Sequence, residues 1–418
     1  MIRAHKIRPN PTPEQAEWLA YCCHVNRAAY NWAVAEWTAQ YKAGGKPSAM
    51  ALKAKWNSEI DTVHPWVRES CRDAYTSAFF DVDDAFSRFF KKQNRYPKFK
   101  SKKTARMSFG LANDKFRVTG QEARLPKIGL VNMAEALRFS GKIVKGTVSL
   151  KAGRWYLSVT VEMPERERQR TGRQVGIDVG IKSLAVTSDG EVLENQKPLR
   201  KSLAKLKRLN RWLARKQKGS KNWQKSKLEL QRFHEHLANQ RKDTWHKFTS
   251  DIAERYDTVC IEDLNVKGMT KNRKLSRAIA DAGWAIGFAM LDYKCHDVRR
   301  IPRFQASSKP CHVCGAVKTD LTLADRLWIC ECGNIVDRDL NAALNIRDIA
   351  LGTVSIGLMQ PLIAFAPALA RSSVKRSRTV CKTASAATQD EVNTRSSGYR
   401  EVLVWRTFAH IKGSSLLL

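Results

Sequence analysis

The chain has 418 residues, enough for two to four domains with separate cores, and its 43% hydrophobic content is ordinary for a globular protein. Its charge is not ordinary: 74 Lys and Arg against 40 Asp and Glu give a net +34. Self-repulsion of this size is best relieved by a polyanion, which favours nucleic acid over anionic lipid and argues against a merely basic soluble protein.

Residues 1–8 read as a short strand. Thr12-Pro13-Glu14-Gln15 then has the form of a capping box, with Thr12 as N-cap, Pro13 in the first turn and Gln15 reaching back. Trp18, Leu19, Cys22, Val25, Ala29, Trp32 and Ala33 recur at helical spacing, which makes Trp18, Trp32 and the later Trp37 core residues rather than base platforms. A second helical run covers 65–92. The basic loop 91–103 follows, in which Lys98 and Lys100 flank Phe99 beside Tyr96. Its cations can meet phosphate and its aromatics can stack on unpaired bases.

From 107 to 163 the period changes to two, with short strands at 116–118, 123–126, 146–150 and 155–161 separated by turn signals. A small β-barrel is the expected closure. Residues 165–170 read as a charged linker. Beyond it, 175–180 and 184–187 read as two strands around a tight turn, 201–256 as two helices broken near Gly219-Ser220, and 258–263 as a strand. A helix near 277–299 and a last helix from Asp339 complete an alternation that indicates an α/β core.

Arg200 to Lys227 holds twelve Lys or Arg and no acid, with Trp212 and Trp223 interleaved. Lys205, Arg208, Arg211, Arg215, Lys216, Lys218 and Lys221 are therefore candidate phosphate contacts, and binding should weaken steeply with salt.

Cys311-x2-Cys314, fifteen residues, then Cys330-x-Cys332 has the shape of a closed, structural four-thiolate zinc site. The other six cysteines (Cys22, Cys23, Cys71, Cys260, Cys295, Cys381) follow no pattern. Met1-Ile2-Arg3-Ala4-His5-Lys6 leads into prolines rather than an apolar core. Together these features lead us to expect a reducing cytoplasm. Residues 349–370 are apolar and uncharged, but Gly352, Gly357, Gln360, Pro361 and Pro367 interrupt them. A tail without regular structure is expected there, not a membrane span.

Three carboxylates stand out by context. Asp178 lies mid-strand between glycines, Glu262 ends an apolar strand, and Asp339 opens a helix just after the cysteines. Singly, each has a structural reading as a turn former, an ion-pair partner or an N-cap. Together, acids from two strand ends and a helix start are what a phosphodiester-cleaving site with two Mg2+ ions requires.

These residues carry a family resemblance. Gly176-Ile177-Asp178-Val179-Gly180-Ile181-Lys182, Ile261-Glu262-Asp263-Leu264-Asn265, the four cysteines and Asp337-Arg338-Asp339-Leu340-Asn341-Ala342-Ala343 resemble the TnpB (OrfB) proteins of insertion sequences, relatives of the type V CRISPR effectors. Thr12 to Gln15, Tyr96 to Lys100 and Gly153-Arg154-Trp155-Tyr156 extend the match over about residues 1–350.

The resemblance implies a multidomain α+β protein. Its RNase H-like (RuvC) α/β nuclease core would carry an inserted zinc ribbon and be preceded by a small β-barrel and a helical module. It implies residues 1–10 as the first strand of the barrel (wedge) domain, 11–100 as a helical recognition module and 101–165 as the rest of the barrel. Residues 166–305 would be the nuclease core with a helical hairpin insertion, 306–335 the zinc ribbon, 336–350 the last core helix and 351–418 a tail. It further implies an RNA-guided DNA endonuclease with Asp178, Glu262 and Asp339 on catalytic Mg2+, and structural Zn2+ on Cys311, Cys314, Cys330 and Cys332. The implied partners are a guide RNA from the transposon end and double-stranded target DNA with a short adjacent motif, with no membrane involved. Asp337 competes with Asp339 for the third place; Asp339 is preferred because the family's final acid directly precedes the x-Asn-Ala-Ala helix. The Cys330-x-Cys332 pair is one residue shorter than in many relatives.

Three other functions compete with this one. A catalytically silent regulator of transposition, or a zinc-ribbon adaptor, would need none of the acids. A strand-transfer transposase would join DNA ends rather than only cut them.

Overall fold

The computed structural model describes residues 1–164, 170–321 and 325–353. The expectations for 165–169 of the linker, for Cys381 and for the tail beyond Thr353 lie outside the described residues.

Strand β1 (Ile2–Ile7) leads into α1 (Pro13–Lys42), which starts where the capping box expects. The Thr12 hydroxyl accepts from the Gln15 amide at 3.3 Å, and the Gln15 side chain accepts from the Thr12 amide at 3.0 Å. Helix α2 (Ala49–Glu59) was not expected from periodicity; Ser48 caps it, and Leu52 and Trp56 bury one face at i, i+4 spacing. A 3₁₀ turn (Pro65–Glu69) precedes α3 (Arg72–Phe90). Trp37 stacks on Phe86 at 4.9 Å, and Trp32 meets Trp56 and Phe79 edge-on, so these tryptophans belong to the core.

Next come β2 (Ser108–Ala112), β3 (Arg117–Thr119), β4 (Glu122–Leu125), β5 (Gly129–Asn132), β6 (Lys142–Lys151) and β7 (Arg154–Glu162). They do not close the expected barrel. One sheet runs β1-β7-β6-β2, with β1 antiparallel to β7, and a second runs β3-β4-β5. The isolated Pro9–Met133 bridge joins the flank of β1 to that of β5. Both sheets instead share one apolar core with α1, α2 and α3, including Leu19, Phe79, Phe109, Val131 and Leu157.

The second half holds β8 (Gln174–Asp178), β9 (Ser183–Thr187), β10 (Val192–Glu194), α4 (Pro198–Lys201), α5 (Leu203–Ala214), α6 (Lys221–Arg255), β11 (Thr258–Glu262), α7 (Val266–Met269), α8 (Ser276–Ala282), α9 (Trp284–Lys294), β12 (Asp297–Ile301), β13 (Leu327–Ile329), β14 (Ile335–Asp337) and α10 (Arg338–Leu351). The helix expected over 277–299 is interrupted at Gly283, whose φ of +68° is left-handed, and it ends at Lys294. Residues 297–301 are a strand instead, parallel to β11.

The main sheet runs β10-β9-β8-β11-β12, with β8 parallel to β11 and antiparallel to β9. Alternation along β8 and β11 separates its two faces. Val175, Ile177, Val259 and Ile261 pack with Trp245, Ile252 and Trp284 of α6 and α9. Cys260 lies on the opposite face with Ile346 of α10 and Ile301. Gly176 permits that packing: a Cβ there would stand 2.0 Å from the Ala343 carbonyl oxygen of α10. Among the described residues, no helix is long and apolar enough to cross a membrane.

Candidate active site and metal centre

The alternation that separates the two faces also gathers the acids. Asp178 follows Gly176 by two residues on β8, and Glu262 follows Cys260 by two on β11, so both carboxylates lie towards α10 at neighbouring strand ends. Ala343 packs on Gly176, and Asp339 lies one helical turn before it, towards the Asp178 end.

The charges register this convergence. Burial raises the Asp178 carboxyl, the carboxylates of Glu262 and Asp339 raise it further, and it reaches about 8 despite the opposing pull of Arg338 and the Val179 amide. The flanking acids are tethered: Glu262 accepts from the Ser307 hydroxyl at 2.5 Å, and Asp339 pairs with Arg338 at 3.3 Å. The three carboxylates do not all converge within 4.8 Å. Asp337 is used differently. Its Oδ1 accepts from the amides of Asp339 at 2.9 Å and Leu340 at 3.2 Å, making it the N-cap of α10. Asp263, beside Glu262, is paired with Arg303 at 2.6 Å.

The four cysteines present one sulfur each within 4.8 Å of the others. Cys311 and Cys332 approach to 3.9 Å, and Cys314 and Cys330 to 3.5 Å. A tetrahedral four-thiolate zinc with bonds of about 2.3 Å places sulfurs roughly 3.8 Å apart, so the shortened Cys330-x-Cys332 pair fits a single ion. Each pair sits on a tight turn closed by a left-handed glycine, Gly315 at φ +75° and Gly333 at φ +86°. Their amides donate to the carbonyls of Cys311 (2.9 Å) and Cys330 (3.0 Å). Burial alone would raise the Cys311 thiol, but donors from Cys314, Asn334 and Val313 outweigh it and bring it down to about 6, favouring the ligating thiolate.

The basic candidates divide. Lys205, Arg208, Arg211, Arg215, Lys216, Lys218 and Lys221 are exposed on α5, the connecting loop and the start of α6. Lys98 is exposed as well. Lys100 is partly buried, with its ammonium 3.5 Å from the Tyr30 ring centre and 4.0 Å from Asp81, and Asn31 holds its backbone. Its charge is engaged inside the helical module. Tyr96 likewise packs edge-on against Phe86 and Phe89, whereas Phe99 is 63% exposed. Ser307 carries no sequence signal, since a Ser before a cysteine knuckle has no motif value.

Comparison with known proteins adds independent findings. Residues 157–273 match the OrfB_IS605 family, described as "Probable transposase". Residues 284–346 match "Cas12f1-like, TNB domain", and 1–46 match "Helix-turn-helix domain", a span that here holds β1 and the single long helix α1. Over 372 residues the chain is 34% identical to a Streptomyces pristinaespiralis protein named "Putative RNA-guided DNA endonuclease", covering 85% of this chain and 91% of that one. An Escherichia coli K12 protein whose name has the same wording is 29% identical over 389 residues, covering 86% and 94%. Among solved structures, the Cas12f1-sgRNA-target DNA complex contains a chain of similar fold, with TM-score 0.52 and 16% identity over 80% of this chain and 83% of that one.

Proposed function

We propose that this chain, which belongs to the OrfB (TnpB-like) family, is a transposon-associated RNA-guided DNA endonuclease with a RuvC-type, RNase H-like core. Asp178, Glu262 and Asp339 are its Mg2+ ligands. One observation carries the site assignment: acids from β8, β11 and α10 share one face, and burial together with its two neighbours drives Asp178 up to about 8. A buried carboxyl with two carboxylates beside it is stabilised in its ionised form by divalent cations, and Mg2+ suits a carboxylate set drawn from several elements.

Each residue then has a task. Bound Mg2+ would act as Lewis acid on the phosphodiester and lower the pKa of the attacking water. Asp178, at the centre, would give up its proton on cation binding, while Glu262 and Asp339 would hold the flanks. Asp337 fixes the start of α10 and so sets where Asp339 stands. Arg338 pairs with Asp339 and offsets part of the negative charge of the set. Cys311, Cys314, Cys330 and Cys332 would hold a structural Zn2+, the role a four-thiolate set suits.

The guide RNA comes from the transposon end, and pairing with it selects a double-stranded DNA target beside a short motif. The α5–α6 hairpin and Lys98 grip backbone phosphates, and Phe99 offers a stacking face. In domain terms, 1–10 with 101–165 form the wedge domain, 11–100 the recognition module, 166–305 with 336–350 the nuclease core and 306–335 the zinc ribbon.

The test is cleavage of a guide-matched plasmid by full-length protein purified with its co-expressed RNA. Wild type should cut with Mg2+, and Asp178→Ala should lose at least about 10³-fold in rate, equivalent to several kcal/mol of transition-state stabilisation. Wild-type protein that binds RNA yet leaves DNA intact at any Mg2+ concentration would overturn the proposal.

A further inference from the structure

We propose that Ser307 is a positioning residue for Glu262, and that Asn341 and Asn345 bind its loop to α10, so that the root of the cysteine module and two of the three acids form one unit. The inference rests on the reading of Asp178, Glu262 and Asp339 as cation ligands.

Ser307 is 6% exposed and lies on the segment between β12 and Cys311. Its hydroxyl donates to Glu262 Oε1 at 2.5 Å. The terminal torsion of a Glu side chain is soft and broad, so an unheld carboxylate samples many directions. A buried hydroxyl on Oε1 fixes the plane of the group and thereby the direction of Oε2.

The backbone of Ser307 is held from the other side. Asn345 Nδ2 donates to the Ser307 carbonyl at 2.7 Å and to the Pro310 carbonyl at 2.8 Å. One turn earlier, Asn341 Nδ2 donates to the same Pro310 oxygen at 2.7 Å, and Asn341 Oδ1 accepts from the His312 amide at 3.0 Å. Trp328 of β13 supplies a third donor to Pro310, at 3.0 Å.

Both asparagines are buried, at 0% and 2% exposure, inside a helix where Asn has poor intrinsic propensity. A buried amide with the wrong partner costs about 1–3 kcal/mol, so this set specifies one register of loop on helix. Cys311 follows Pro310 directly, and Asp339 precedes Asn341 by two residues. The first knuckle, Glu262 and Asp339 are therefore tied within a few bonds of each other. Partners of ligating carboxylates typically account for ten- to hundredfold in metal affinity.

The experiment compares full-length wild type, Ser307→Ala and Ser307→Thr. Mn2+ binding is followed by electron paramagnetic resonance, counting only the binding that Asp178→Ala removes. The Mg2+ midpoint of target cleavage is measured on the RNA complexes. Ser307→Ala should raise both the Mn2+ Kd and the Mg2+ midpoint about tenfold with zinc content and Tm unchanged, while Ser307→Thr stays within about twofold. Wild-type Mn2+ affinity in Ser307→Ala overturns the proposal even where wild type cuts DNA. So does a loss of zinc or folded protein that Ser307→Thr fails to rescue. If wild type never cuts, the endonuclease reading fails, and the Mn2+ comparison still decides the role of Ser307.

Discussion

Cys332 and Asp339 are seven residues apart in the chain, yet they belong to sites assembled by opposite means. The thiols come from two tight turns, each shaped by its own glycine, and their sulfurs already meet at ion-binding separations. The carboxylates come from segments spread between residues 178 and 339 and meet only because β8 pairs with β11 and α10 packs on Gly176. A local turn can build a site that holds a fold together. A site that must bear mutual repulsion needs the whole sheet behind it.

Altering either set sharpens this contrast. The largest expected effect is at the thiols, because structural zinc contributes on the order of 10 kcal/mol to folding its module. Cys314→Ser should lower zinc from one per chain to well below that after mild chelation. It should also expose 306–335 to protease while the β1–β7 half keeps its circular dichroism. Next come the two acids at the start of α10. Asp339→Asn should slow cleavage at least about 10³-fold. Asp337→Asn should change stability by only a few tenths of a kcal/mol and leave cutting within a few-fold, since Asn caps a helix as well as Asp does.

Gly176→Ala probes the packing that brings α10 to the sheet. Its methyl would meet the Ala343 carbonyl at 2.0 Å, and overpacking of this kind costs about 3 kcal/mol, seen as a lowered urea midpoint together with lost cleavage. The last effect is a gain. Asp178 carries a folded-state pKa of about 8 against an ordinary 3.8, so the metal-free fold holds a proton that the unfolded chain releases between those values. Stability from this group is present at low pH and falls as pH rises towards 8. Asp178→Asn should therefore stabilise the metal-free protein at pH 8 while abolishing cleavage. That gain should shrink towards pH 4, as thermal melts across the range would measure.

What the sequence made legible follows the same division. The capping box at Thr12, the four cysteines and the apolar strand ending in Glu262 are short-range patterns that appear where their spacing implies, whereas the strand expected over 175–180 ends at Asp178 rather than running through it. The choice between Asp337 and Asp339 was open on the residues alone, because both precede the same helix; only the Asp337 hydrogen bonds distinguish cap from neighbour. Strand β12, Asp297-Val298-Arg299-Arg300-Ile301, is a sheet edge with little apolar alternation, so the helical reading ran through it. Strand count alone suggests a barrel, whereas closure depends on long-range pairing, and here the strands pair as two separate sheets. Ser307, Asn341 and Asn345 act through contacts made only once the chain is folded.

If the two sites hold different metals for different tasks, titrating Mg2+ into the zinc-loaded protein–RNA complex while following both target cleavage and bound zinc will separate them. Cleavage should rise from zero with Mg2+ at a constant one zinc per chain. Cutting sustained by the resident zinc with no added Mg2+, or cutting that survives replacement of Asp178, Glu262 and Asp339 together, would contradict that division.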